Sequence, residues 1–459
     1  MSQIQKIKIV SNNISYGLPP DQEDEVEQRM TINAKGQVWF SSYKYGDGFE
    51  AYKLGRKSYR KISKEKAKQI LSLIEGFINS DHGELFAADI GDWKMTVTES
   101  ENKTYEFNGS LCGGVELNGI NISNLIRRSI PLQGLFAFDG GENQIDVMLG
   151  AIIGLCVGDA LGVPVEFQSR ESLAIDPVVS MRGYGTYNMP IGTWSDDTSL
   201  TLCLLDSLNY GLDYDDIMKK FVSWYKEGSY TQHGEAFDIG ITTRESIQRY
   251  LSGTDPIKCG GNGERDNGNG SLMRILPIVF YLRSIYGADF FEVEEAVNVI
   301  HNISALTHGH IRSQIGCGIY LSVASMLMDE TDLKNAVQVG IDRASNFYRN
   351  HPFYDVEIES YKRLFDSEFV NLSEDEIRSS GYVVDTLESA IWCLLSSNSY
   401  EECVLRAVNL GEDTDTVAAV AGGLAGLYYG IDKIPEDWID AISGVEVVYA
   451  LVEGQSIHE

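Results

Sequence analysis

The sequence predicts a multidomain protein, a small α+β domain followed by a large all-α domain. Three observations predict it. The chain has 459 residues, more than one ordinary core holds and enough for two or three domains. Its patterning changes after Asp139-Gly140-Gly141-Glu142-Asn143, from short alternating runs to long segments at helical spacing. Its charge is unevenly placed: of the net −30, residues 146–459 carry −28, with 20 Lys+Arg against 48 Asp+Glu.

Residues 1–27 lack a clear pattern and end in an acidic stretch, Asp21, Glu23, Asp24, Glu25 and Glu27. They read as a flexible arm. Residues 28–140 then read as the small α+β domain. Residues 29–45 are strand-like, broken by the turn Asn33-Ala34-Lys35-Gly36. Ser63 caps a helix running to about Ile78, with Ile70, Leu71, Leu73 and Ile74 on its buried side. Trp93, Met95 and Val97 alternate, as do Tyr105 and Phe107 beyond Glu101-Asn102, which reads as a second hairpin. A short helix follows Ser123. The basic run Arg56, Lys57, Arg60, Lys61, Lys64, Lys66, Lys68 reads as a solvated helix face or as a contact surface for an acidic partner.

Residues 144–459 read as one all-α domain. Segments 147–156, 200–208, 215–225, 293–303, 311–328, 384–395 and 417–429 each fit one helical face. Gly154, Gly158, Gly162, Gly422, Gly423 and Gly426 fall inside such segments. Each costs roughly 1 kcal/mol against alanine in a helix. Close helix packing, or close approach to a ligand, offsets that cost.

Composition excludes several classes. Hydrophobic residues make up 43%, so the chain builds a sizeable core rather than remaining disordered. No run of about 20 uninterrupted apolar residues predicts a membrane span. The N-terminus carries lysines without a following apolar run, so no secretory signal is expected. Seven scattered cysteines show neither zinc nor redox spacing and read as buried thiols of a cytoplasmic protein. The acidic body repels phosphates, so no nucleic-acid partner is expected.

Two clusters carry the chemistry. Ser195-Asp196-Asp197-Thr198 and Glu412-Asp413-Thr414-Asp415-Thr416 each open an apolar segment. Acids at helix starts also serve as caps. Two clusters of interleaved hydroxyls and carboxylates, however, make an all-oxygen donor set suited to one or two hard cations. Glu166 lies just past Pro164 between Val165 and Phe167, the setting of a partly buried acid/base or metal-bridging carboxylate. Asn267-Gly268-Asn269-Gly270-Ser271-Leu272-Met273-Arg274 is a glycine-rich loop that either binds a phosphate through its N–H groups or is an ordinary turn. In Thr307-His308-Gly309-His310 a histidine fits ligand hydrogen bonding better than zinc.

Five motifs together resemble the ADP-ribosylglycohydrolase family, also called the dinitrogenase-reductase-activating glycohydrolase-like family. They are Gly158-Asp159-Ala160-Leu161-Gly162 with Glu166-Phe167, Gly192-Thr193-Trp194-Ser195-Asp196-Asp197-Thr198, Gly268 to Arg274, Thr307-His308, and Gly411-Glu412-Asp413-Thr414-Asp415-Thr416. The resemblance covers residues 146–430 in family order and leaves residues 1–140 outside. It implies an all-α fold and two Mg²⁺ ions, with Mn²⁺ as an alternative. The implied metal ligands are Ser195, Asp196, Asp197, Asp413, Asp415 and Thr416. The implied catalytic carboxylates are Glu166, Asp196 and Asp197. Gly270 and Ser271 match the pyrophosphate-binding segment, and His308 matches a histidine contacting ADP-ribose. Ser195 stands where many members have Thr, and Glu412 where many have Gly.

The implied activity is hydrolysis of ADP-ribose from a modified protein side chain, most commonly arginine. The extra N-terminal region suggests a further role. An immunity protein or antitoxin could both reverse the modification and occlude an ADP-ribosyltransferase toxin through residues 1–140. The alternative is a binding protein, either an occluding partner of the transferase or a non-catalytic ADP-ribose-binding relative.

Overall fold

The computed structural model describes residues 4–454, apart from 15–19, 23, 49–50, 79–90, 101–102, 112–114, 118–119, 131–134, 140–143, 329–331 and 453. The expected boundary glycines, the Glu101-Asn102 turn and Cys112 lie outside the described residues, as does part of the expected arm. The chain forms two compact units, residues 1–143 and 144–459. Each has its own apolar core.

The first unit is a six-stranded antiparallel sheet in the order β4-β3-β2-β1-β5-β6. The strands are β1 Ile4–Asn12, β2 Glu25–Asn33, β3 Gln37–Lys44, β4 Lys53–Lys61, β5 Asp92–Glu99 and β6 Thr104–Ser110. Helix α1, Lys64–Ile78, buries Ala67, Ile70, Leu71, Ile74 and Phe77. A two-stranded pair, β7 Glu116–Leu117 and β8 Ile120–Asn121, precedes α2, Ile122–Ser129.

Two expectations for this unit are corrected. Residues 4–12 are no arm: β1 pairs with both β2 and β5 inside the sheet. A register shift between Ile4 and Lys6 puts Ile4 and Ile7 in the core although they are three apart. That bulge breaks the period-two signal. The basic run is not one helix face. Arg56, Lys57, Arg60 and Lys61 lie on the edge strand β4, and Lys64, Lys66 and Lys68 lie on α1. Edge strands favour lysine over apolar alternation because bare edges invite pairing with other chains.

The second unit is helical. Its helices are α3 Gln144–Gly162, α4 Arg170–Ile175, α5 Asp196–Leu208, α6 Tyr214–Glu227, α7 Ile241–Leu251, α8 Ile278–Tyr286 and α9 Glu294–Ala305. They continue with α10 Ile311–Leu327, α11 Leu333–Arg349, α12 Val383–Leu395, α13 Tyr400–Asn409, α14 Thr414–Tyr429, α15 Glu436–Ala441 and α16 Val445–Val452. The core pair is α3 with α14. Gly150, Gly154, Gly158 and Gly162 recur every four residues and so form one stripe on α3. A Cβ at Gly154 would lie 2.5 Å from the Gly422 carbonyl oxygen, and one at Gly150 2.7 Å from that of Gly426. Side chains at these positions would force the helices apart. Their absence lets the two backbones meet and brings Asp159 on α3 beside Asp415 on α14. Residues 146–165 have the length and apolarity of a membrane span, but 89% of that window is buried, as a core helix requires.

Candidate active site

Ser195 is the N-cap of α5. Its hydroxyl accepts from the Asp197 N–H at 3.3 Å and donates to Asp197 Oδ2 at 3.0 Å. Asp159, fully buried on α3, serves the same helix start. It accepts from the Ser195 N–H at 2.9 Å, the Thr198 N–H at 3.0 Å and the Thr198 hydroxyl at 2.6 Å. These are the N–H groups a helix start leaves without intrahelical partners. One carboxylate therefore locks α5 onto α3.

The second cluster arrives at the start of α14. The Thr414 hydroxyl donates to the Gly162 carbonyl at 2.8 Å, holding the end of α3. The Thr416 hydroxyl donates to Asp197 Oδ2 at 3.2 Å, so two segments 219 residues apart meet on one oxygen. Asp413 Oδ2 accepts from Asn269 Nδ2 at 2.8 Å. Glu166 enters from the turn Val163–Val165, where Pro164 ends the helical run.

Two carboxylate triplets result. Asp159, Asp197 and Asp415 bring one oxygen each within 4.8 Å of one another, as do Glu166, Asp238 and Asp415. Asp415 belongs to both. Three oxygens, Glu166 Oε2, Asp197 Oδ1 and Asp415 Oδ2, are buried without a hydrogen-bond partner. Buried polar atoms are nearly always paired, and an unpaired carboxylate oxygen is costly. Burial pushes the Glu166 carboxyl up to about 9, with Asp238 adding to it, and Asp159 to about 6. Burial, then neighbouring carboxylates, puts Asp196, Asp197 and Asp415 well above the usual range. Among the described residues no basic side chain forms an ion pair with these carboxylates, and their all-oxygen donors fit a hard divalent cation.

The expected residues fall in four places. Ser195, Asp197, Asp415, Thr416 and Glu166 converge on the centre. Asp196 is buried on α5 outside both triplets, in the field of Asp238. Asp413 faces Asn269, which connects the centre to the glycine-rich loop. In that loop Gly270 lies against His308, where a Cβ would sit 2.7 Å from His308 Cε1. The Ser271 hydroxyl is fully buried, accepting from the Ser304 hydroxyl at 2.9 Å. That leaves the Ser271 N–H, rather than its side chain, for a ligand. Neither the Gly270 nor the Ser271 N–H donates to a protein acceptor among the described residues.

Sequence reasoning missed Asp159, Asp238 and Tyr187 as site residues. Asp159 had a signal, a single acid deep in an otherwise apolar helix. Asp238 had none: it lies outside helices and strands, with a left-handed φ of 53°. The Tyr187 hydroxyl donates to Asp238 Oδ1 at 2.5 Å. Burial, then Asp238 and Glu166, raises the Tyr187 phenol, so it stays a proton donor.

Glu412 has φ 63° and Phe167 φ 64°, both left-handed. They are joined by the Phe167 N–H donating to the Glu412 carbonyl at 2.7 Å. The conformation is one glycine adopts without steric penalty.

Comparison with known proteins gives one family. The ADP-ribosylglycohydrolase family model matches residues 141–459. ADP-ribosylarginine hydrolase Tri1 of Pseudomonas putida (strain GB-1) is 31% identical over 315 residues, covering 68% of this chain and 78% of that protein. ADP-ribosyl-[dinitrogen reductase] glycohydrolase of Rhodospirillum rubrum is 30% identical over 307 residues, covering 66% and 92%. A solved structure, "ADP-ribosylglycohydrolase-related protein complex", matches with TM-score 0.54 at 31% identity, over 68% of this chain and 96% of that one. The chain belongs to the ADP-ribosylglycohydrolase family and is an enzyme of that class.

Proposed function

We propose that this enzyme hydrolyses ADP-ribose from modified arginine side chains of proteins, with two Mg²⁺ ions as cofactor and Mn²⁺ as a substitute. The supporting observation is the convergence of three unpaired buried carboxylate oxygens from Glu166, Asp197 and Asp415. The arginine linkage follows the named activity of the Pseudomonas relative.

Ser195, Asp196, Asp197, Asp413, Asp415 and Thr416 would hold the ions, with Asp159 fixing the helix that carries three of them. Bound Mg²⁺ supplies positive charge that offsets the carboxylates and orients the hydroxyls of the distal ribose. Gly270 and Ser271 offer N–H groups, and His308 a ring nitrogen, to the pyrophosphate. In the reaction, water adds to the anomeric carbon as the bond to the guanidine nitrogen breaks. Surrounding carboxylates stabilise the cation-like transition state, as in other glycosidic cleavages. Glu166 would deliver a proton to the leaving nitrogen. Asp196 or Asp197 takes the proton from water. The test is release of free ADP-ribose from arginine-modified protein, with serine-modified protein beside it. Release from the serine-linked substrate alone would replace the arginine assignment. Binding of ADP-ribose without release from either would favour the non-catalytic reading.

A second role has its own observation. One sheet face carries Lys8 and Lys57, with Arg29 paired to Glu27 at 2.7 Å and Lys94 to Glu106 at 3.1 Å, around Trp39 and Tyr59, which are 43% and 50% exposed. Such a basic, aromatic face fits an acidic protein surface. We infer that residues 1–140 dock an ADP-ribosyltransferase toxin, making the protein a cytoplasmic immunity factor. Six described cysteines, all free and buried, suit a reducing compartment. Catalytically dead variants should still protect cells against the cognate toxin. Protection that always requires catalysis would remove this role.

A further inference from the structure

Arg274 is fully buried, and its guanidinium lies 4.8 Å from the centre of the Phe221 ring. Burial lowers it only to about 10, so it remains a cation at neutral pH. Its Nη2 donates to the Ile303 carbonyl at 3.1 Å and to the Thr307 hydroxyl at 2.9 Å. Its Nε and Nη1 are buried without partners. A buried guanidinium so poorly matched is poor value as a stabilising device. Among the described residues its side chain reaches the site through Thr307, whose hydroxyl lies 2.9 Å from His308 Nδ1.

A guanidinium has donors and no acceptor, so the Thr307 oxygen must accept from Arg274. The hydroxyl proton then needs an acceptor of its own. Among the described residues the only other hydrogen-bonding partner of that oxygen is His308 Nδ1. If Nδ1 carried the proton, both neighbours would donate to Thr307, and the buried hydroxyl proton would be stranded. The alternative satisfies every group: Arg274 donates to Thr307, and Thr307 donates to Nδ1. The ring proton then resides on Nε2. That atom makes no hydrogen bond to the protein among the described residues and lies beside the glycine-rich loop, with a Cβ at Gly270 falling 3.3 Å from it.

We propose that Arg274 and Thr307 are positioning residues that hold neutral His308 with its proton on Nε2, aimed as a hydrogen-bond donor at an anionic ligand oxygen beside Gly270 and Ser271. The inference rests on the proposed function for the ligand's identity and on geometry alone for the tautomer. It accounts for a buried arginine that the metal chemistry does not use. It also makes His308 a donor without making it a charge, so its contribution persists across neutral pH.

The experiment uses full-length protein with ¹⁵N-labelled histidine, and the variant His308→Gln assigns the signal. Long-range proton–nitrogen correlation on the ligand-free wild type should show Nδ1 bare and Nε2 protonated. Thr307→Val should move the proton to Nδ1 or mix the two forms, and Thr307→Ser should restore the wild-type pattern. ADP-ribose binding, measured by calorimetry, should weaken about tenfold in Thr307→Val and return in Thr307→Ser, the loss expected for one hydrogen bond to a charged group. A wild-type ring protonated on Nδ1 overturns the relay, whatever the variants do. Unchanged tautomer and unchanged affinity in a folded Thr307→Val also overturn it. Should the tautomer be as stated while wild type fails to bind ADP-ribose, the proposed function fails and the relay stands.

Discussion

The two units handle charge in opposite ways. In the sheet unit, charged side chains are mostly exposed and several are paired, as in Arg56 with Glu25 at 2.6 Å and Lys94 with Glu106 at 3.1 Å. In the helical unit, Asp159, Glu166, Asp196, Asp197 and Asp415 are buried together, with unpaired oxygens on three of them. Exposed pairs contribute at most about 1 kcal/mol each, so the first arrangement says little. The second is unfavourable by several kcal/mol unless a cation joins it. Carboxylates buried against their own electrostatic interest mark the site.

The sharpest way to break this contrast is to remove a central carboxylate. Asp197→Ala should lower ADP-ribose release at least about a hundredfold, because a required ligand and its charge are lost. Its fold should remain largely intact by circular dichroism, since like-charge repulsion is relieved. Full activity would remove the site assignment.

Stability against pH sharpens the contrast. The ordinary values for Asp159 and Glu166 are 3.8 and 4.5, and burial raises them to about 6 and about 9. The folded, metal-free protein therefore keeps protons that the unfolded chain releases. Their stabilising effect is complete below the unfolded values and is lost as pH rises through about 6 and then about 9. Added Mg²⁺ should raise Tm more at pH 8 than at pH 5, because protons compete for the same oxygens. A Tm increment independent of pH would contradict the reading.

The helix stripe gives a smaller effect. Gly158→Ala sets a Cβ against the Ala418 backbone on α14. We expect a loss of about 1–3 kcal/mol in denaturant unfolding, together with reduced activity as Asp159 shifts. Glu412→Gly should act in the other direction. It relieves a left-handed residue and should stabilise by up to about 1 kcal/mol, less the flexibility glycine adds to the unfolded chain. A destabilised Glu412→Gly would show that the Glu412 side chain itself holds the loop.

Much of this arrangement was legible in the sequence where local pattern and local role coincide. Ser195, Asp197, Asp415 and Thr416 are acids and hydroxyls at helix starts, and α1, β5 and α14 follow simple periodicities. What escaped depends on distant partners. Strand β1 was obscured by the shift between Ile4 and Lys6, and β4 by the lysines of an edge. Asp238 and Tyr187 become site residues only when the loops carrying them meet Glu166. Asp159 was visible as an odd acid in an apolar helix, yet its part in capping α5 needs the α3 contact. Arg274, Thr307 and His308 fall within the quoted motifs, but nothing in their spacing shows that Thr307 ties the other two together.

The most direct test of the central claim is calorimetric titration of Mg²⁺ into metal-stripped wild-type protein and Asp415→Asn, with ADP-ribose release from arginine-modified protein measured on the same samples. The account predicts that wild type binds two ions and releases ADP-ribose, while the near-isosteric variant loses ion binding and release together. Mg²⁺-stimulated release by Asp415→Asn at the wild-type rate would contradict it.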